Sequence, residues 1–318
     1  MLKIGPYTIS AVETGSFGLD GGAMFGIVPK PLWKKTNPAD EANRIDMRLR
    51  AMLIQKPKDE SGPARNIIVD CGIGYKWAEK HQKIYKIDHS KLSLEAGLQQ
   101  KNLTREDITD VILTHLHFDH AGGLTRFLKE GDPKSEIIPT FPNAQVYLQK
   151  RNWDLAWHPS EKDRASYLTE NYAPYADAKS SARKLCLLDT QAIDPSGVMK
   201  FNGPNSKEEE ILPGISVEVS NGHTLGMQIV RVSGAKWSDP KSIVYCADLI
   251  PTATHVRIPF IMGYDCFPMF ILEEKKKLLN RVVDEQGYLF YEHCPHMAAS
   301  SVIKTKKGDF EHGKPLTL

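Results

Sequence analysis

The chain has 318 residues, 41% of them apolar, and balances 41 Lys+Arg against 39 Asp+Glu for a formal charge of +2. That length and apolar content suffice for a sizeable packed core, and so even a charge excludes the broad basic footprint of a nucleic-acid or anionic-membrane binder, leaving a small molecule as the expected partner. Five widely spaced cysteines, Cys71, Cys186, Cys246, Cys266 and Cys294, form no CxxC pair, so neither a disulfide framework nor a thiolate zinc site is indicated and a cytoplasmic setting is expected. The opening MLKIGPYTISAVETG lacks the apolar centre of a signal peptide, and no stretch approaches the roughly 18 apolar residues of a membrane span.

In chain order, YTISAVETG (7–15), RLRAMLIQ (48–55) and NIIVDCGIG (66–74) are β-branched or apolar and end at glycine, proline or charge, which predicts strands. A helix is expected from Leu92 to Lys101. Thr104 with Asp107 three residues later forms a capping box, and TDVILT (109–114) has the short apolar run of a buried strand. The stretch 152–185 reads as helical and 189–210 as polar loop, together an insertion over about 152–210. Beyond it, ISVEVS (215–220), GMQIVRVSG (226–234) and SIVYCADL (242–249) read as strands, 272–286 as a charged helix and YLFYEH (288–293) as a last strand. EEKKK (273–277) within that helix is expected to form a solvated face. Strands flanked by helices in two similar halves predict an α/β domain over 1–318, with two mixed sheets packed face to face and helices outside.

The chemistry is concentrated in THLHFDHAGG (114–123), just past a predicted strand end. His115 and His117 are two apart, so on an extended loop both point the same way, while Asp119 and His120 project from the turn where a helix begins. Imidazole and carboxylate donors without thiolates suit zinc, with iron, manganese or cobalt as alternatives. Gly122 and Gly123 are expected to let the backbone turn sharply behind the ligands. Further donors stand at later strand ends: His223 in SNGHTLG, Asp248 in YCADL and His293 in YEHCP.

HLHFDH, GHT, AD and EH in that order resemble the metallo-β-lactamase superfamily. DGGAMFGIVPK (20–30), NIIVDCGIG (66–74), FPNAQVYLQKRNW (141–153) and MGYDCFP (262–268) look like its lactonase-like branch, which contains N-acyl homoserine lactonases and methyl parathion hydrolase. The resemblance implies an αβ/βα sandwich with a dinuclear metal site, zinc first. One ion would be held by His115, His117 and His223, the other by Asp119, His120 and His293, with Asp248 bridging. A shared hydroxide would attack a lactone or ester carbonyl, oriented by Asp119. Phosphotriester or arylester hydrolysis is the alternative, and a mononuclear iron persulfide dioxygenase a remoter one. The branch also admits a homodimer. His296 competes with His293 as the last ligand, and the EH pattern favours His293.

Homoserine lactonases of the best-known type carry a tyrosine three residues after the bridging aspartate, where Pro251 stands here. His255 or Tyr264 is the expected replacement as donor to the substrate oxygen. Met24, Phe25 and Phe118 are expected to line an apolar substrate pocket.

Overall fold

The computed structural model describes residues 1–60, 62–176, 184–190 and 208–318. Strand β1 (Leu2–Ile4) edges a long antiparallel hairpin of β2 (Tyr7–Asp20) and β3 (Arg44–Lys56), and β4 (Arg65–Val69) continues the sheet. β5 (Asp110–Ile112) adds in parallel, β6 (Thr125–Phe127) and β7 (Ile137–Pro139) pair apart as a ribbon, and β8 (Gln145–Gln149) and β9 (Leu185–Leu188) extend the sheet in parallel. Its order is β1-β2-β3-β4-β5-β8-β9.

The second seven-stranded sheet runs in sequence order. It comprises β10 (Glu209–Leu212), β11 (Ile215–Ser220), β12 (Met227–Ser233), β13 (Ser242–Tyr245), β14 (Tyr288–Phe290), β15 (Ala299–Lys304) and β16 (Phe310–Leu316). Only β13 and β14 pair in parallel, and the helix Pro268–Asp284 makes the crossover that a parallel pair requires.

Strand periodicity explains the layers. Met52 and Ile54 of β3 and Ile67 and Val69 of β4 face the second sheet, in one core with Val217, Ile229 and Ile243. Leu53 and Ile68, one residue out of phase, pack on the opposite face with Leu94 and Leu98 of the helix Leu94–Gln99. Burial on both faces is why these strands read as continuous apolar runs rather than alternating ones. Near the clefted edge the sheets are joined by polar bonds: Gln149 donates to Gln228 Oε1 (2.8 Å), and Gln228 donates to Leu113 O (2.7 Å).

The expected strands are present with shifted ends; β3, for instance, begins at Arg44 rather than at 48. The middle segment differs more. The helix there is short, Lys150–Trp157, followed by 3-10 turns, and a strand that the sequence reading lacks, β9, starts at the last residue of the expected helical stretch, where Leu185–Leu188 completes the edge of the first sheet beside β8. Much of the expected insertion, 177–183 and 191–207, lies outside the described residues. Among the described residues no helix is long and apolar enough to cross a membrane.

Candidate metal centre

β4 and β5 are parallel neighbours, and β11 and β13, each antiparallel to β12, run the same way. Their C-terminal ends therefore deliver loops to one edge: Asp70 after β4, His115 after β5, His223 after β11, Asp248 after β13 and His293 after β14. There the donors form two adjoining buried groups able to hold a metal ion, His115–His117–His223–Asp248 and Asp119–His120–His293. Asp248 lies at their junction. Its Oδ2 is 3.1 Å from His223 Nε2 and 3.5 Å from His120 Nε2, and its Oδ1 is 3.4 Å from His293 Nε2.

The donor set is one that a protein alone does not satisfy. His223 Nε2 faces His117 Nδ1 at 3.1 Å, and His293 Nε2 faces His120 Nε2 at 3.4 Å. His115 Nε2 and Asp248 Oδ1 are buried with no hydrogen-bond partner. Imidazole nitrogens turned on one another and orphaned polar atoms in a water-poor pocket are costly, and cations would relieve both.

An outer ring of acceptors fixes which nitrogen faces inward in His115, His120, His223 and His293, while His117 Nε2 has no such partner. His223 Nδ1 is 3.0 Å from Asp265 Oδ1, and His293 Nδ1 is 2.9 Å from Arg48 O. A carboxylate or carbonyl only accepts, so Nδ1 carries the proton and Nε2 presents a lone pair. Asp70 serves two histidines. Its Oδ2 accepts from Thr114 Oγ1 (2.7 Å) and from His120 Nδ1 (3.0 Å). Since the threonine proton is committed to Asp70, His115 Nδ1 must donate to Thr114 Oγ1 at 3.0 Å, which leaves His115 Nε2 free. Glu292 Oε2 also lies 2.7 Å from His120 Nδ1, but off the N–H direction and without a hydrogen-bond partner.

Burial and the neighbouring imidazoles hold His115 and His117 well below the ordinary histidine range. Burial pushes His120 and His293 the same way, yet Glu292 and Asp248 outweigh it, lifting His120 well above that range and His293 to about 9. Burial in turn raises Glu292 to about 7.

The loop itself is held by side chains that motif reading did not single out. Asn152 Oδ1 accepts from Leu116 N (2.9 Å), and Asn152 Nδ2 donates to Leu225 O (3.0 Å), tying the first three histidines to the His223 loop. The ammonium of Lys76, lowered to about 8 by burial, donates to Gly122 O and Thr125 O. Gly122 and Gly123 are needed for space rather than for a sharp turn. Gly122 has an ordinary helical φ of −58°, while a Cβ there would stand 2.0 Å from Ile73 O, and one on Gly123 2.1 Å from Cys71 O.

A cleft of about 200 Å³ opens onto these groups. Met24 and Phe118 line it as expected, and Tyr264, a little over a third exposed, stands at its mouth. Its phenol is kept protonated, first by burial and then by carboxylates including Asp20, Asp119 and Asp248. Phe25 does not reach the cleft; it is fully buried, stacked between Trp33 (5.2 Å) and His255 (4.7 Å).

His255 is a second correction. Burial lowers it to about 3, so the ring is neutral with a single proton. Nε2 donates that proton to Met24 O (2.8 Å), and Nδ1 accepts from Thr252 Oγ1 (2.8 Å), which leaves nothing to give a substrate. His296 is exposed and bonds to Thr36 O, away from both groups. Tyr85, Lys162 and Ser166 line the cleft without any signal in the sequence that marked them.

A family model described as the metallo-beta-lactamase superfamily matches residues 51–198. A Bacillus protein named N-acyl homoserine lactonase is 25% identical over 188 residues; the match covers 59% of this chain and 56%, little more than half, of that curated relative. Among solved structures, a probable metal-dependent hydrolase from Staphylococcus aureus is 28% identical, with a TM-score of 0.77 over 99% of this chain and 100% of the other. AidC, a dizinc quorum-quenching lactonase solved with N-hexanoyl-L-homoserine, is 20% identical, with a TM-score of 0.69 over 100% of this chain and 97% of its own. At that identity the likeness carries the fold alone.

Proposed function

We propose that this chain, a metal-dependent hydrolase belonging to the metallo-beta-lactamase superfamily, opens lactone or ester bonds using two divalent metal ions, zinc first. His115, His117 and His223 would hold one ion and Asp119, His120 and His293 the other, with Asp248 shared. The observation that carries this reading is the position of Asp248 between two buried donor groups, with its own Oδ1 and His115 Nε2 left without hydrogen-bond partners. When bound, two such cations make water nucleophilic near neutral pH and polarise the electrophile.

The chain's own residues do the rest. Asp119 borders the cleft on the side of the second group, where its carboxylate accepts a hydrogen bond from the attacking water and holds its direction. Asp70, Asp265 and the Arg48 carbonyl keep the imidazoles in the donor tautomer throughout. Tyr264 donates to the oxygen that becomes anionic as the carbonyl carbon turns tetrahedral. Met24, Phe118 and Met262 receive the apolar arm of the substrate, while Lys162 and Ser166 add polar groups to the lining.

A turnover panel tests the reading: acyl homoserine lactones, simple γ- and δ-lactones, aryl esters, aryl phosphotriesters, a β-lactam and a glutathione thioester, each with zinc, manganese and cobalt. Lactone or ester turnover supports it. Activity confined to phosphotriesters moves the substrate to phosphorus at the same centre, activity confined to the β-lactam and thioester refutes the branch, and metal-dependent oxygen consumption refutes hydrolysis.

A further inference from the structure

A second hollow, of about 690 Å³, shares Met47 with the metal cleft but opens elsewhere, between the far end of the β2–β3 hairpin, the segment 79–92 and the turn at Pro295. Strand alternation makes its wall. Arg44, Asp46 and Arg48 stand on one face of β3, while Ile45, Met47 and Leu49 turn into the core. The hollow thus has a charged rim above apolar atoms of Phe17, Met47, Ile87 and Leu92.

Most of the rim's charges are already matched. Lys86 pairs with Asp46 (2.7 Å), Lys83 with Glu79 (2.6 Å) and Arg44 with Asp40 (2.9 Å), while Asp88 accepts from Ser90 N (2.7 Å). Arg48 and Lys91 are left over; among the described residues neither side chain makes a hydrogen bond or a close ion pair. Arg48 is half-buried, and its guanidinium, to which no protein group is matched, is open to an incoming anion.

We propose that this groove binds an amphipathic carboxylate, an aliphatic acid whose head group is taken by Arg48 and Lys91 and whose chain lies along Ile87 and Leu92, the partly exposed apolar side chains of the wall. The planar guanidinium fork matches a carboxylate bidentately. With Asp88 beside Lys91 offsetting part of their charge, Arg48 and Lys91 leave one net positive charge for a single carboxylate, and the apolar wall gives no reason for a small, fully hydrated anion to settle there. The groove also adjoins the metal centre: the Arg48 carbonyl holds His293 Nδ1, and the Phe17 ring lies 5.4 Å from the His293 ring.

The test is calorimetric titration of the zinc-loaded full chain with decanoate, beside 1-decanol and acetate. Saturable 1:1 binding of decanoate is expected, with acetate and decanol each at least about tenfold weaker, the scale of one charge-assisted pair. Arg48→Gln should weaken decanoate about tenfold. Lys91→Glu, on an exposed position where folding is not at stake, should do the same. Unchanged affinity in both variants would place the carboxylate at the metals or elsewhere and overturn the proposal, as would equal binding of decanol or no saturable binding at all. The groove is argued without any metal, so its failure leaves the hydrolase reading standing, and the turnover panel fails or succeeds independently of it.

Discussion

Asp70→Asn probes how the imidazoles are aimed. Asp70 is fully buried in the left-handed region, φ 59°, a conformation that asparagine adopts as readily, so the substitution leaves the backbone undisturbed. Asp70 Oδ1 accepts from Thr114 N (2.7 Å), and Oδ2 accepts from Thr114 Oγ1 and His120 Nδ1. The asparagine oxygen can keep only the first of these places, and its NH2 then occupies the second. A donor would face the His120 Nδ1 proton at 3.0 Å, a contact relieved by moving the proton to Nε2, where it blocks the inward lone pair. The Thr114 hydroxyl, no longer held by a carboxylate, would turn to His115 Nδ1 and shift that tautomer too. One atom thus disarms a ligand in each group. Loss of such outer partners costs about 10- to 100-fold in metal affinity, or roughly 1.4–2.7 kcal/mol. Competition of metal-free protein against a chromophoric zinc chelator measures it. Wild-type affinity at both sites in a folded Asp70→Asn protein would refute the tautomer argument.

Three further outcomes follow from the same geometry. Tyr264→Phe should lower kcat on the order of a hundredfold, the scale of a lost oxyanion donor, with metal content unchanged; equal kinetics would remove Tyr264 from the chemistry. His255→Ala empties a stacked site and strands Met24 O, so thermal unfolding should report a loss of about 2–4 kcal/mol, and KM should rise as the Met24 loop loosens; an unchanged melting temperature would contradict the anchoring role. In metal-free protein, His293 is raised from 6.5 to about 9, so its contribution is fully present below pH 6.5 and is lost as pH rises through 9. His115 and His117 are neutral in both states over that window and do not oppose it. Lys275 and Lys76, lowered by burial to about 7 and about 8, oppose it, so the contribution is read as the midpoint advantage of the metal-free chain over its His293→Gln variant, which should shrink between those pH values; a growing advantage would show the opposite sign.

The seven donor positions were legible because motif spacing and strand-end placement are local properties, and β-strands deliver their ends to one edge whatever connects them. Residues that act across the fold were not. Asn152, fully buried, matters because it joins Leu116, 36 residues before it, to Leu225, 73 residues after it, and Asp70 matters because β4 and β5 are parallel neighbours, neither of which a motif states. His255 and Phe25 look like site residues by type and position, but packing decides against them: each stacks on the other, and the only ring proton of His255 is committed to a carbonyl. The strands Ala299–Lys304 and Phe310–Leu316 escaped notice because ASSVIK and FEHGKPL are largely polar at the sheet edge and lack an apolar period. Gly122 and Gly123 were recognised for the wrong reason, since a sequence displays a glycine without displaying the backbone pressed against it.

The most direct measurement of the central claim is the metal stoichiometry of the folded chain, read by titrating metal-free protein with zinc and by elemental analysis after desalting. Two equivalents per chain are predicted, falling toward one in His293→Ala, toward none in Asp248→Ala, and staying at two in His296→Ala. A reproducible single equivalent in the wild-type protein after zinc supplementation would contradict the two-metal account.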